Sequence, residues 1–228
     1  MVRLDEDELA FLNYLSDYVT PHKKELIDKV LGKRTRYITL VLENIYKPHN
    51  ASAVLRTADC FGIQDVHLID GNDSYAVNPY VTRGAAQWVD LHKYDNGSGN
   101  ATAECYRQLR QKGYKIFATS PKEGSLPLIE LSTDQPIALV FGNEHEGVSN
   151  EAISAADGLV HIPMKGFTES FNISVSAAIC LYALQEKIDS SSIGNYFLTE
   201  EEKTELKYQW YQGIVKHSAA HKREFFKK

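Results

Sequence analysis

Three short segments carry the side chains best suited to chemistry. The first, ENIYKPHNASAVLRTADCFG at 43–62, places Arg56 six residues beyond Asn50, between one and two turns of a helix. On its own the pair reads as a helix cap followed by a surface arginine. The second, FGNEHEGVSNEAI at 141–153, sets Asn143, Glu144, His145 and Glu146 between Gly142 and Gly147. Glycines permit a tight turn or a close backbone approach to a ligand, and an ionised Glu144 can accept hydrogen bonds from that ligand. Two neighbouring glutamates disfavour a phosphate and suit a cation. The plainer reading is an ordinary turn into a helix capped by Ser149. The third segment is HIPMKGFTESFNISVSAAI at 161–179. Ser170 or Asn172 would cap its apolar helix, while Ile162, Met164 and Phe171 line either an apolar slot for a flat ring or part of the core.

The elements that must position these segments alternate between two periodicities. Apolar runs at 37–43, 66–70, 88–94, 114–120, 136–142 and 158–164 read as strands. Between them, 51–62, 101–111, 149–157 and 172–188 read as helices. Gly62 stops the first, and the last is apolar on most faces and therefore expected to be buried. Two amphipathic helices precede the strands. Leu9, Leu12, Leu15 and Tyr18 form the face of 5–18, and Leu26, Val30 and Leu31 that of 21–32, which Thr20 caps ahead of Pro21. A final long helix starts near Thr199, with an acidic first turn. Strands alternating with helices predict an α/β domain with a mainly parallel sheet over 37–188. Helical extensions occupy 1–36 and 189–228. In such sheets ligands bind outside the carboxyl ends of the strands, where the three segments fall.

Composition excludes whole classes. With 228 residues, 43% hydrophobic and 24% charged, the chain is neither disordered, collagenous nor a coiled coil. Cys60, Cys105 and Cys180 lack metal-ligand spacing and predict buried free thiols rather than a disulfide framework. Neither a structural metal nor a membrane span is expected, and the acidic start MVRLDEDELAF is unlike a signal peptide, so a cytoplasmic location is expected. GxSxG, HExxH, CxxC and Walker A patterns do not occur. The formal charge of −5 speaks against a nucleic-acid binder, yet residues 22–36 carry +4 and 207–228 carry +5, leaving −14 for the rest. Such stretches are usually solvated helix faces. They can also grip a polyanion, with Tyr208, Trp210, Tyr211, Phe225 and Phe226 either stacking on bases or packing as one face.

In this order, each at a strand end, the segments resemble the three motifs of the SpoU/TrmH branch of the SPOUT RNA methyltransferases. The first matches an N-x-x-A-x-x-R-T pattern at Asn50, Ala53, Arg56 and Thr57; LVFGNEHEGVS and IPMKGFTESFNISVSAAICLY match the second and third. LENIYKPHN and TRGAAQWVDL (82–91) are most similar to the tRNA (guanosine-2′-O)-methyltransferases of that branch. The resemblance implies a parallel sheet with a deep trefoil knot towards its C-terminal end, flanked by N- and C-terminal helices. It implies S-adenosyl-L-methionine bound in the knot against Thr119, Gly142, Ile162, Met164 and Phe171. It implies a homodimer that completes the active site across its interface, with Asn50, Arg56, Glu144, Ser170 and Asn172 as the catalytic set. The substrate would be the ribose 2′-oxygen of a tRNA guanosine, in the D-loop. Lys23, Lys24, Arg34, Arg36, Lys222 and Arg223 in the basic ends would bind the tRNA. A ribosomal-RNA methyltransferase and a non-catalytic RNA-binding protein are the competing readings. The five candidate catalytic residues occurring together argue against the latter. The family's proposed base is the motif arginine, here Arg56; an arginine that stays protonated would instead clamp a phosphate and stabilise a developing alkoxide.

Overall fold

The structure, a computed structural model, describes residues 4–70, 87–95, 97, 99–168 and 170–227. Residues 82–86 of the TRGAAQWVDL segment lie outside that set. Seven parallel strands form one sheet: β1 (Ile38–Glu43), β2 (Asp65–Asp70), β3 (Asp90–Asp95), β4 (Lys115–Thr119), β5 (Leu126–Pro127), β6 (Ile137–Phe141) and β7 (Gly158–His161). Their spatial order is β3-β2-β1-β6-β4-β7-β5. β1 and β6 are buried along their length because both faces of the sheet are covered. Leu40, Leu42, Leu139 and Phe141 point to one face, which α3 (Pro48–Cys60) and α6 (Ile173–Asp189) cover. Val41, Ala138 and Val140 point to the other, under α4 (Ala101–Gln111) and α5 (Asn150–Ala155). The two-residue β5 and the 3-10 turn at Leu128–Glu130 lack a periodic signal and were not expected.

Several expected details change. α3 begins at Pro48, so Asn50 lies inside its first turn and is not the cap; Lys47 holds that position without a side-chain bond. Gly62 does end the helix, at φ 71°, and Ser149 does cap α5. α6 is not buried all round: Val175 and Tyr182 are exposed. Cys105 and Cys180 are buried, but Cys60 is exposed.

The chain divides into two compact units, Arg36–Tyr196 and the residues up to Thr35 together with those from Phe197 onward. In the second unit α1 (Glu6–Ser16) packs on α7 (Glu200–Ile214) and α8 (Ser218–Phe225), and α2 (Pro21–Leu31) packs on α7. The buried face of α1 is Phe11, Leu12 and Leu15, while Leu9 and Tyr18 are exposed; in α2 Ile27 and Leu31 are buried and Leu26 is not. The expected caps at Thr20 and Thr199 are present, the latter as a full capping box with Glu202. The last helix is broken in two, with His217 left-handed at φ 59° between α7 and α8. Tyr208, Trp210 and Tyr211 are buried, so these rings pack and are not open to bases.

Candidate active site

β1, β6, β4 and β7 are adjacent and parallel, so their carboxyl ends open onto one edge of the sheet. From that edge the chain leaves β1 towards α3, β4 at Thr119, β6 into the 142–149 loop and β7 towards Ile162. The loop after β6 is closed on itself. Asn143 Oδ1 accepts from the amides of His145 and Glu146 at 2.9 and 2.7 Å, and Gly147 N–H donates to Asn143 O at 3.0 Å. Gly142 is required for this closure, because a Cβ there would lie 2.0 Å from the Gly147 backbone. Sequence reasoning misses Asn143 as a site residue, although an asparagine directly after a strand-ending glycine is a recognisable turn signal.

The closed loop delivers Glu144 to α3. Asn50, 4% exposed, donates from Nδ2 to Glu144 Oε1, joining residues 94 positions apart. The same helix carries Arg56, which is exposed. The Asn50 amide and Glu144 carboxylate together can hold a hydroxyl-bearing ligand, and Arg56 offers an exposed cation six residues further along the helix. In the third segment Asn172 caps α6, its Oδ1 accepting from the Ser174 amide at 3.0 Å and hydroxyl at 2.8 Å. Ser170 and Phe171 are exposed. The expected catalytic residues therefore divide: Asn50 and Glu144 touch, whereas the Asn172 side chain is engaged at the start of its own helix. Sequence reasoning also misses Glu43, at the end of β1; its signal is a lone acid closing an apolar strand.

The expected cofactor wall lies along the same edge. Thr119 ends β4 and its hydroxyl donates to Val140 O at 2.8 Å, while Ile162 and Met164, both half-buried, follow β7. Main-chain groups at strand ends beside apolar side chains suit an adenine ring and a thioether chain, and Glu144, on the loop after β6, suits a sulfonium. The residues present thus fit S-adenosylmethionine. Gly142, directly after β6 on the same edge, also serves the loop's own closure through its lack of a side chain.

Two of the six basic residues expected to hold RNA are turned inward. Arg34 is 1% exposed, with its guanidinium 5.4 Å from the Trp210 ring. Arg36 pairs with Asp65 and, at 2.7 Å, with Asp90, at the amino ends of β2 and β3. Lys222 and Arg223 are exposed on α8; Lys23 and Lys24 are half-buried on α2.

A parallel sheet with closed loops and an amide–carboxylate pair at its carboxyl edge defines an α/β protein built to bind a small ligand there. Residues 37–182 match the SpoU rRNA Methylase family, and the chain belongs to it. It is 42% identical over 213 residues to the tRNA (guanosine(18)-2′-O)-methyltransferase of Borreliella burgdorferi, covering 93% of this chain and 95% of that protein. The crystal structure of the A. aeolicus TrmH/SpoU tRNA modifying enzyme superposes with a TM-score of 0.73 at 30% identity, over 84% of this chain and 96% of that one. The SpoU methyltransferase AviRb from Streptomyces viridochromogenes, in complex with the cofactor AdoMet, shares the fold at 22% identity and a TM-score of 0.59, over 72% of this chain and 62% of that one.

Proposed function

We propose that this chain methylates the ribose 2′-oxygen of guanosine 18 in tRNA. The observation that carries the reading is the Asn50–Glu144 contact, which brings the first and second motifs together at the sheet edge. The tRNA assignment is supported by a relative of that activity aligned over 93% of this chain and 95% of its own length. S-adenosylmethionine, when bound, supplies the electrophilic methyl group.

The protein's own task is position and electrostatics. Thr119, Gly142, Ile162, Met164 and Phe171 would hold the cofactor through main-chain groups and apolar side chains. Arg56, exposed on α3, is assigned to grip the phosphate next to the reacting ribose and to stabilise the negative charge that develops on the 2′-oxygen, whose proton passes to bulk water. This clamp role suits a guanidinium better than that of a base, since an arginine in a protein keeps its proton. Glu144 holds the Asn50 amide, and the pair orients the ribose. Ser170, exposed before the Asn172 cap, is assigned to an active site that a second protomer completes in a homodimer. The trefoil threading of the chain at this edge belongs to the same proposal. Among the described residues no helix is long and apolar enough to cross a membrane.

The test is direct. Purified protein with labelled S-adenosylmethionine should label tRNA and leave ribosomal RNA unlabelled, with the 2′-O-methyl group mapping to guanosine 18. Label in ribosomal RNA alone would reject the tRNA assignment.

A further inference from the structure

We propose that Glu43 is a positioning residue for methyl transfer: it latches the loop carrying Glu144 to the end of β1, so that Glu144 meets Asn50. The inference rests on the methyltransferase reading above. Glu43 is the last residue of β1 and is 2% exposed. Its Oε2 accepts from the Ser149 amide at 2.8 Å, and its Oε1 from the Ser149 hydroxyl at 2.7 Å. The same hydroxyl oxygen accepts from the Ala152 amide at 3.1 Å. Ser149 is thereby fixed twice, as donor to Glu43 and as cap of α5.

The neighbouring positions on the sheet show that packing alone does not require this acid. Ile69, the register partner of Glu43 on β2, and Val41, two residues before it on the same face of β1, are apolar and equally buried. Burying a carboxylate costs free energy unless donors meet it. Here both donors come from one residue, at the far end of the loop that holds Glu144. Residues 143–147 close on themselves through Asn143, so the turn is stiff and needs an anchor outside itself.

The other arm of the latch is the main chain. Directly after Glu43, Asn44 turns left-handed at φ 50° and donates its amide to Ile69 O at 2.9 Å. The chain then passes the buried Ile45 and enters α3, whose first turn carries Asn50. One strand end therefore anchors both loops whose tips meet at Asn50 and Glu144.

The experiment compares Glu43→Gln, Ser149→Ala and Ser149→Thr in the full chain. Glutamine keeps the shape but points an NH2 group at a site already supplied with donors. Threonine keeps both the amide and the hydroxyl. Two readouts are taken: hydrogen exchange of the 143–149 amides without ligand, and steady-state methylation of tRNA. Glu43→Gln and Ser149→Ala should each speed exchange by about tenfold. They should lower kcat by about tenfold or more, with KM for tRNA and cofactor Kd within roughly threefold. Ser149→Thr should restore protection and turnover together. The Glu43→Gln/Ser149→Ala pair should be no slower than the poorer single variant. Unchanged exchange in both disruptive variants, a kcat within about twofold of wild type, or a loss carried wholly by KM overturns the inference. If the wild-type protein leaves tRNA unmethylated, the proposed function falls, and the exchange data alone decide whether the latch exists.

Discussion

Arg56 stands on the exposed side of α3, two turns from a helix start that buries Asn50. If it clamps a phosphate, Arg56→Ala should abolish tRNA methylation while S-adenosylmethionine still binds with wild-type affinity. Arg56→Lys, which keeps the charge but loses the planar fork, should recover only a small part of the rate. A normal kcat for Arg56→Ala would remove the residue from the site. Gly142 makes a different kind of prediction. A methyl group there meets backbone at 2.0 Å, so Gly142→Ala should lower stability by roughly 2 kcal/mol or more, read as a shift in the urea midpoint. At this scale the sequence is informative where residue type and local order suffice, as for the Ser149 cap and the turn between Gly142 and Gly147. It fails where direction depends on distant partners. Arg34 and Arg36 belong to a basic run, and nothing local says that Trp210, Asp65 and Asp90 draw them inward. Glu43 is similar: its partner Ser149 is 106 residues away.

The helices and strands are legible for a physical reason: caps and periodicity are short-range signals. Thr20, Thr199 and Gly62 each act within a few residues of where they stand. Strand order is not legible, because β1 lies between β2 and β6, and β4 is reached only across β6. The same non-local pairing builds a polar layer that no periodicity announces. Asp65 and His67 on β2 face Asp90, His92 and Tyr94 on β3, beneath α4. His92 Nε2 and Asp65 Oδ1 are 2.6 Å apart, His67 stacks on His92 with centroids 4.6 Å apart, and His67 Nδ1 lies 3.0 Å from the Tyr94 hydroxyl. Burial first, then His92, and to a lesser degree Lys112, push the His67 imidazole down to about 3 against the pull of Asp65. Burial works to raise the Asp65 carboxyl, but His92 and Arg36 outweigh it and hold it well below the usual carboxylate value. Both shifts act in the same sense. The unfolded chain protonates His67 below its ordinary value of 6.5 while the folded chain does not, so stability is complete above that pH and drains as pH falls towards 3. Asp65 adds a further loss below 3.8. Unfolding followed in urea should show roughly 2 kcal/mol lost between pH 6.5 and 4.5. His67→Gln should flatten that slope, and a stability independent of pH over this range in the wild type would contradict the burial of His67.

Across the whole molecule the net charge of −5 divides unevenly. Arg36–Tyr196 holds twelve Lys/Arg and eighteen Asp/Glu, a net of −6. The terminal unit holds thirteen and twelve, a net of +1. The basic runs are real but local, since the acids of the same unit cluster in the first turns of α1 and α7, where they serve the helix ends. Its cations also differ in kind. Lys207 pairs with Asp28, Lys203 bonds Glu200 at 2.7 Å, and Arg34 is buried. Lys222 and Arg223 are exposed on α8, and Lys24 is half-buried on α2. If this unit holds tRNA, neutralising different cations should have different consequences. Changing Lys24, Lys222 and Arg223 together to glutamine should weaken tRNA binding and leave the melting temperature within a few degrees of wild type. The dependence of log Kd on log salt should flatten by roughly one unit for each phosphate that is no longer neutralised. Arg34→Gln should do the reverse, leaving a cavity against Trp210 and lowering the melting temperature, with little change in salt slope for the fraction that remains folded. Equal loss of affinity in both variants, or none in the triple variant at two salt concentrations, would assign tRNA binding to the acidic unit instead, where a polyanion must approach a surface of net −6.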